Sequence, residues 1–224
     1  MNAVLVVGSP KGRASASFAL GAALADGLRA RGAAVTDLAA YRVFRSAEET
    51  ARQIDALDDA DLVVLAFPLY VDALPAPLVR LLEMVADRRR TGTPRAPQAP
   101  RLAVIVQCGF PEARQCDTAV AICRLFAERT GMRWAGALQM GMGGRLAEGI
   151  ANLPGGGRHI VRALDMAAAS LAEGGGIPDE AAALFARPLV PRWLYTLFGY
   201  LGWRMQMWKN KARRPIGFRP YSQE

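Results

Sequence analysis

A short segment near the amino terminus combines glycines with clustered serines. It reads GSPKGRASAS over residues 8–17, after an apolar run and before a segment of helical period. Gly8 and Gly12 permit a tight turn, and the serine hydroxyls would lie beside amides that a helix start leaves without partners. That arrangement favours an anion, most naturally a phosphate. The alternative is that Ser15 only caps the helix and the glycines only turn the chain.

The segment matches neither of the two common phosphate loops. It has no G-x-G-x-x-G fingerprint of dinucleotide-binding proteins and no G-x-x-x-x-G-K-[ST] of P-loop proteins. The sequence therefore does not support either of those nucleotide sites, and the phosphate site that we expect is of another kind.

Two later segments end apolar runs with residues suited to a flat ligand. FPLYVDALPAPL, residues 67–78, places the ring of Tyr70 where the third apolar run ends. QCGFPEARQCDTA, residues 107–119, follows the fourth run, and Gly109 lets the backbone approach a ligand closely. The amides beside that glycine are placed to face the edge of a planar heterocycle. Considered by itself, Tyr70 is better explained as a half-buried packing residue.

The cysteines and the single histidine do not form a recognisable catalytic or metal-binding set. Cys116 and Cys123 share one face of an expected helix and are interpreted as core residues, whereas Cys108 directly follows the fourth apolar run. The chain has no C-x-x-C, so the ligands of an iron–sulfur cluster or a structural zinc are missing. His159 has no obvious acid or nucleophile partner and is interpreted as structural. We therefore predict no metal site and no catalytic side chain.

Short β-branched apolar runs alternate with longer segments of helical period. This pattern predicts five βα units. Runs that are apolar throughout indicate a sheet covered on both faces, hence a doubly wound parallel sheet of the α/β class. The carboxyl ends of such strands meet at one edge, where ligands bind. The expected helices cover residues 15–31, 46–57, 75–88, 116–130 and 158–173.

The positive charge of the chain is concentrated at its carboxyl end. The net charge is +8, yet residues 1–186 carry 20 basic and 19 acidic side chains, whereas residues 187–224 carry 8 and 1. A nucleic-acid-binding fold spreads its basic residues over a folded face, so nucleic acid is not an expected partner. The odd number of cysteines and the lack of a visible secretory signal after Met1 predict reduced thiols and a cytoplasmic protein.

The last part of the sequence is both aromatic and basic. WLYTLFGYLGWRMQMWKNKARRP, residues 193–215, holds three of the four tryptophans and no acidic residue. A helix here has apolar residues nearly all round. We expect it to be buried against protein, as a cover for the site or in a dimer interface; peripheral membrane contact is the alternative. EGGGIPDE is the expected hinge, so the predicted domains are residues 1–176 and a helical extension, residues 177–224.

Three stretches together resemble the motifs of the flavodoxin-like NAD(P)H-dependent FMN reductase and oxidoreductase family. They are VLVVGSPKGRASAS, FPLYVDALPAPLVRLLE and QCGFPEARQCDTAVAICRLFAERTGMRWAGALQMGMGG, in this order over most of residues 3–145. The resemblance implies a flavodoxin-like sheet of order 2-1-3-4-5 with FMN at the switch point between the first and third strands. It implies these cofactor contacts: Ser9, Lys11, Ser15, Ala16 and Ser17 at the phosphate, and Pro68, Leu69, Tyr70, Val71, Cys108, Gly109 and Phe110 at the ring. GMGG, residues 141–144, either completes the rim or simply turns the chain.

The same resemblance implies the activity. An FMN-dependent NAD(P)H:acceptor reductase passes hydride from NAD(P)H through bound FMN to a small acceptor such as a flavin or quinone, which explains the lack of a catalytic side chain. Related reductases are commonly dimers, so a homodimer is expected. The alternative is an electron-transfer or membrane-associated flavoprotein with a protein partner, and the third hypothesis is a scaffold that binds no flavin. A cysteine cluster after Asp72 and a strongly acidic body, typical of two other groups of flavoproteins, are both missing.

Overall fold

Five apolar runs of the sequence form one parallel sheet. Its strand order is β2-β1-β3-β4-β5, and every neighbouring pair is parallel, which confirms the predicted order. The crossover from β2 past β1 to β3 creates the switch point at which open α/β sheets bind ligands. The strands are β1 (Asn2–Val7), β2 (Ala34–Ala39), β3 (Leu62–Pro68), β4 (Arg101–Gln107) and β5 (Arg133–Met140).

Seven α-helices lie within the described parts of the chain, which are residues 1–91 and 99–211. The first five follow the five strands and agree with the predicted helices to within three residues at either end. The helices are α1 (Ala16–Arg29), α2 (Ala47–Asp58), α3 (Ala76–Thr91), α4 (Asp117–Arg129), α5 (Arg158–Ala172), α6 (Asp179–Phe185) and α7 (Arg192–Lys209).

The two faces of the sheet bury two separate cores. Successive side chains of a strand point to opposite faces, so in β1 Leu5 and Val7 belong to one core and Val4 and Val6 to the other. The first core contains residues of α1, α5 and α6, and the second contains residues of α2, α3 and α4. The expected covering of both faces is therefore confirmed, and the strand ends are left as the place for a site.

The chain divides into two compact units, Met1–Leu189 and Val190–Glu224. The predicted domain boundary at residue 176 lies inside the first unit, because α6 packs into the core through the fully buried Phe185. The glycine-rich segment before α6 is held as well. The buried guanidinium of Arg101 donates to the carbonyls of Leu171 and Gly175, and the Ile177 amide donates to the Ala135 carbonyl. This segment is therefore part of the body rather than a hinge.

Helix α7 is the described helix of the second unit. Arg204 donates to the hydroxyl of Tyr200 at 3.2 Å, and its guanidinium carbon lies 5.7 Å from the centre of that ring. Residues 212–215 of the predicted aromatic and basic segment lie outside the described residues. Within residues 1–91 and 99–211, no helix has the length and apolar content needed to cross a membrane.

Candidate functional site

The loop after β1 turns into α1 through hydrogen bonds made by its own serines. Ser15 Oγ accepts from the Phe18 amide at 3.1 Å and donates to the Gly12 carbonyl at 2.6 Å. The Lys11 amide donates to Ser9 Oγ at 3.3 Å. Gly12 has a φ of 55°, in the left-handed region that favours glycine. Ser15 therefore caps α1, and the loop folds around the helix start through its own contacts.

Ser17 differs from the other serines of this loop because its hydroxyl has no partner. Ser17 lies in the first turn of α1 and is only 1% exposed, yet its Oγ makes no hydrogen bond to any described residue. A buried hydroxyl without a partner costs about 1–3 kcal/mol. The first amides of a helix also lack intrahelical acceptors, and the helix dipole adds partial positive charge there. A small anion at this position would accept hydrogen bonds from both groups.

The segment after β3 makes a tight turn with two non-glycine residues in the left-handed region. The Tyr70 amide donates to the Ala73 carbonyl at 3.0 Å, and the Ala73 amide donates back to the Tyr70 carbonyl at 3.1 Å. Val71 and Asp72 between them have φ angles of 50° and 57°. Such a φ is a genuine outlier for a β-branched residue and costs about 1–3 kcal/mol. Strain of this size is typical of ligand clamps and active sites.

Apolar side chains of this turn and of the loop after β4 are exposed to solvent. Val71 is 98% exposed and Tyr70 is 44% exposed, and Phe110, in the loop after β4, is 53% exposed. All three follow strands whose carboxyl ends meet at the same edge of the sheet. Exposed apolar groups at a ligand-binding edge are suited to a flat, apolar ligand.

Backbone hydrogen bonds continue the sheet ladder beyond the strand ends. Each bond joins the first residues after one strand to the neighbouring strand in the sheet. The loops after β1, β3 and β4 are therefore each held to the next strand along the edge. The bonds run from the Gly8 amide to the Ala66 carbonyl (2.8 Å), from Leu69 to Gln107 (2.8 Å) and from Cys108 to Met140 (3.0 Å).

The loops after β4 and β5 are also joined to each other. The Met142 amide donates to the Phe110 carbonyl at 2.7 Å, and the Gly143 amide donates to the Cys108 carbonyl at 2.8 Å. A Cβ on Gly143 would force the side-chain amide of Gln107 to move, and a Cβ on Gly141 would collide with the backbone of Phe110 and Pro111. Gly141 and Gly143 therefore serve close packing against the loop that carries Gly109, whereas a Cβ on Gly144 would meet nothing within 4 Å among the described residues.

Two buried cysteines of this edge contact each other. A hydrogen bond from the Cys116 thiol is the main cause that lowers the pKa of Cys108 to about 7, with help from the Phe110 backbone and against the effects of burial and Glu112. The same bond raises the pKa of Cys116, and burial raises the pKa of Cys123 to about 12. As a thiol, Cys108 faces the carbonyls of Phe110 and Glu112 at 3.9 and 3.7 Å. Cys108 is thus the cysteine that ionises first.

Residues 1–145 match the model of a protein family described by its flavodoxin-like fold. The chain belongs to this flavodoxin-like family. The match covers well over half of the sequence and includes β1 to β5 with the loops at their carboxyl ends. None of the curated proteins matches the chain significantly.

Solved structures with the same fold include several flavoenzymes. An NADH:FMN oxidoreductase in its apo form is 16% identical, with a TM-score of 0.58, and the match covers 85% of this chain and 96% of that one. An NAD(P)H:quinone oxidoreductase from Methanothermobacter marburgensis is 17% identical (TM-score 0.57; 76% and 96% covered). An FMN-dependent NADH-azoreductase from Bacillus anthracis, solved with FMN, is 12% identical (TM-score 0.57; 76% and 99% covered). At these identities the likeness shows the fold.

The residues of the flavodoxin-like sheet edge fit FMN. The unpartnered hydroxyl of Ser17 and the start of α1 offer donors to a phosphate. The exposed rings of Tyr70 and Phe110 offer apolar surface to a flat heterocycle, and Gly109 brings no side chain between the backbone and a ligand. Of the other predicted contacts, Lys11 is exposed, Ser9, Ser15 and Ala16 are buried at the loop, and Pro68 and Leu69 lead from β3 into the strained turn.

Two features of this edge were not predicted from the sequence. Tyr41 follows β2, and its ring would lie 3.5 Å from a Cβ on Gly12, so it packs beside the serine loop. Its position after the second apolar run is the signal that points to it. Cys116 was expected only in the core, where it is fully buried, but it also contacts Cys108. No sequence pattern reveals that contact, because it depends on how the turn before α4 folds.

Replacing Val71 with glycine is expected to stabilise the protein. The change removes the strain of a β-branched residue at a φ of 50°, which should raise the free energy of unfolding by about 1 kcal/mol. The matched control is Val161→Gly, an exposed position within α5, where the same change should destabilise by a few tenths of a kcal/mol. Urea denaturation of both variants measures the difference, and equal losses of stability would contradict the assigned turn.

The thiolate of Cys108 should titrate near neutral pH. Because the folded-state pKa is lowered to about 7, absorbance at 240 nm should rise as the pH increases through that value. Cys116→Ala removes the donor to the thiolate, so the midpoint should move upward. Cys123→Ala is the control and should leave it in place. A midpoint that does not respond to Cys116→Ala would contradict the contact.

Proposed function

We propose that this chain is an FMN-dependent oxidoreductase that takes reducing equivalents from NAD(P)H and delivers them to a small acceptor such as a flavin or quinone. The observation that carries the proposal is the buried, unpartnered hydroxyl of Ser17 in the first turn of α1. It lies at the position where the family resemblance implies the phosphate of FMN. A phosphate supplies the acceptor that this hydroxyl lacks.

The chain's own residues supply position and polarity rather than acid–base chemistry. When bound, FMN supplies the hydride-accepting and hydride-donating centre. Ser9 and Ser17 with the first amides of α1 would hold the phosphate end, Ser15 would fix the loop by capping α1, and Lys11 would add positive charge beside it. The backbone near Gly109 is kept in place by the hydrogen bonds from Met142 and Gly143. Amides held in this way stabilise negative charge at a ring edge without having to reorganise.

The exposed apolar groups suit a second flat ligand. Tyr70 and Phe110 keep about half of their surface in solvent, which gives this edge apolar surface that a flat nicotinamide or quinone could contact. This supports a small, planar acceptor rather than a polymer. We also propose NADH or NADPH as the donor, a homodimer as the working form and the cytoplasm as its location, in line with the family resemblance.

Ser17→Ala should weaken FMN binding selectively. A hydrogen bond to a charged group contributes about 1.5–3 kcal/mol, so the Kd for FMN should rise by about 10- to 100-fold. Riboflavin lacks the phosphate, and its Kd should change by less than about twofold. Fluorescence titration of the flavin with the protein measures both constants. A parallel loss for riboflavin would mean that the substitution disturbs the fold rather than the phosphate contact.

The FMN-loaded protein should be reduced by a free nicotinamide. Anaerobic addition of NADH or NADPH should bleach the visible absorbance of the sample, and a quinone added afterwards should restore it. Slow bleaching by both nicotinamides, together with fast bleaching by a protein donor, would instead support the electron-transfer alternative. A chain that takes up no FMN would support the scaffold hypothesis and overturn the proposed activity.

A further inference from the structure

Helix α7 carries a wide apolar face that is exposed. Its members recur at helical spacing, so at 100° per residue they fall within about one third of the circumference. Trp208 is 81% exposed, and Phe198, Leu201 and Met205 each expose more than half of their surface. The apolar face of α7 consists of Leu194, Leu197, Phe198, Leu201, Met205 and Trp208.

The opposite side of α7 mixes small and polar residues with aromatic side chains, which include Trp193, Tyr195, Tyr200 and Trp203. Gly199 and Gly202 lie there, and a Cβ on either would meet nothing within 4 Å among the described residues. Gln206 and Thr196 lie on the same side, together with Tyr195 and Trp203. Trp203 and Trp208 therefore point to different sides of one helix. The fluorescence of these two tryptophans can therefore show which side of the helix faces a partner.

The charge of this part of the chain is of one sign. Residues 187–223 contain eight basic side chains and no acidic one. Arg204 and Lys209 lie within α7, and Lys211 follows it after Asn210. A partner that covers the apolar face would also have to be anionic, because it would otherwise bring no counter-charge to these groups.

A second copy of the chain does not meet this requirement. Residues 1–186 carry a net charge of only +1, and two carboxyl-terminal segments together would bring charges of +7 and +7 close to each other. Like charges placed together oppose association. Duplex nucleic acid is anionic, but its base faces are stacked inside the helix and are not accessible to Leu197, Leu201 or Phe198. An anionic lipid bilayer offers both, with acyl chains for the apolar face and headgroups for the basic residues.

We propose that α7 lies flat on an anionic membrane surface, with the apolar face of Leu194, Leu197, Phe198, Leu201, Met205 and Trp208 toward the acyl chains. Tryptophan and tyrosine are suited to the headgroup level, where one end is apolar and the other is wet. Lys209 and Lys211 meet the anionic headgroups. The proposal does not depend on flavin binding, and it places the reductase body beside the bilayer, where apolar quinones dissolve.

Vesicle binding of the full chain tests the proposal. The protein should float with vesicles of phosphatidylglycerol and phosphatidylcholine and stay behind with vesicles of phosphatidylcholine alone. Lys209→Gln with Lys211→Gln should weaken binding by about 30-fold, since each basic side chain near an anionic surface contributes about 1 kcal/mol. Arg124→Gln with Arg162→Gln removes two exposed charges from the body and should change binding by less than about twofold.

Tryptophan fluorescence tests the orientation. In two single-tryptophan variants, with the other three tryptophans replaced by phenylalanine, Trp208 should shift to the blue and be quenched by brominated lipids, whereas Trp203 should be quenched much less. Trp208→Ser should weaken binding by about tenfold or more. Trp203→Ser removes the same aromatic group from the other side and should weaken it by less than about threefold.

Each other outcome overturns the proposal. Equal binding to neutral and anionic vesicles would contradict the proposed role of the basic residues. Equal quenching of Trp203 and Trp208 would contradict the proposed orientation of the helix. Failure to float, together with a dimer that Trp208→Ser converts to a monomer, would assign the apolar face to a second copy. Displacement from vesicles by duplex DNA at low concentration would assign the basic residues to nucleic acid. FMN content measured on the same samples separates all of these results from the proposed activity.

Discussion

The candidate site of this protein depends on one constraint of parallel sheets, which is that the carboxyl ends of all strands lie at the same edge. The strands bring their last amides and carbonyls there, and these groups need partners when the ladder stops. Three backbone bonds, from Gly8, Leu69 and Cys108, carry the ladder on into the loops. These bonds fix the loops to the strand ends, so the polar and apolar groups of the loops lie at one edge of the sheet.

Most of the architecture could be predicted from the sequence because it follows from local pattern. Continuous apolar runs gave the five strands, and helical period gave the helices between them. The left-handed turn at Val71 and Asp72 could not be predicted, since a β-branched residue such as Val71 disfavours that φ. The contact between Cys108 and Cys116 and the burial of Phe185 also escaped prediction, because the first depends on how the turn before α4 folds and the second on the tertiary packing of α6.

The candidate site, too, could be predicted only in part from the sequence. Its chemistry was visible in residue types: serines and glycines before α1, an aromatic ring after β3 and a glycine after β4. Which of three serines needs an external partner was not visible, because that depends on hydrogen bonds inside the loop. The hydroxyl of Ser15 is hydrogen-bonded to the Gly12 carbonyl and the Phe18 amide, whereas the hydroxyl of Ser17 has no partner among the described residues. A family resemblance names such residues together, and only the geometry distinguishes the serine that caps a helix from the serine whose buried hydroxyl has no partner among the described residues.

The buried guanidinium of Arg101 has a consequence for the order of events during synthesis. By holding the end of α5 and the segment before α6 against the sheet, it helps to complete the body at Leu189, with all of its core residues already made. Chains fold amino-terminal units first as they leave the ribosome. The candidate site can therefore form before α7 is synthesised, and the apolar, basic helix leaves the ribosome after the residues of the body.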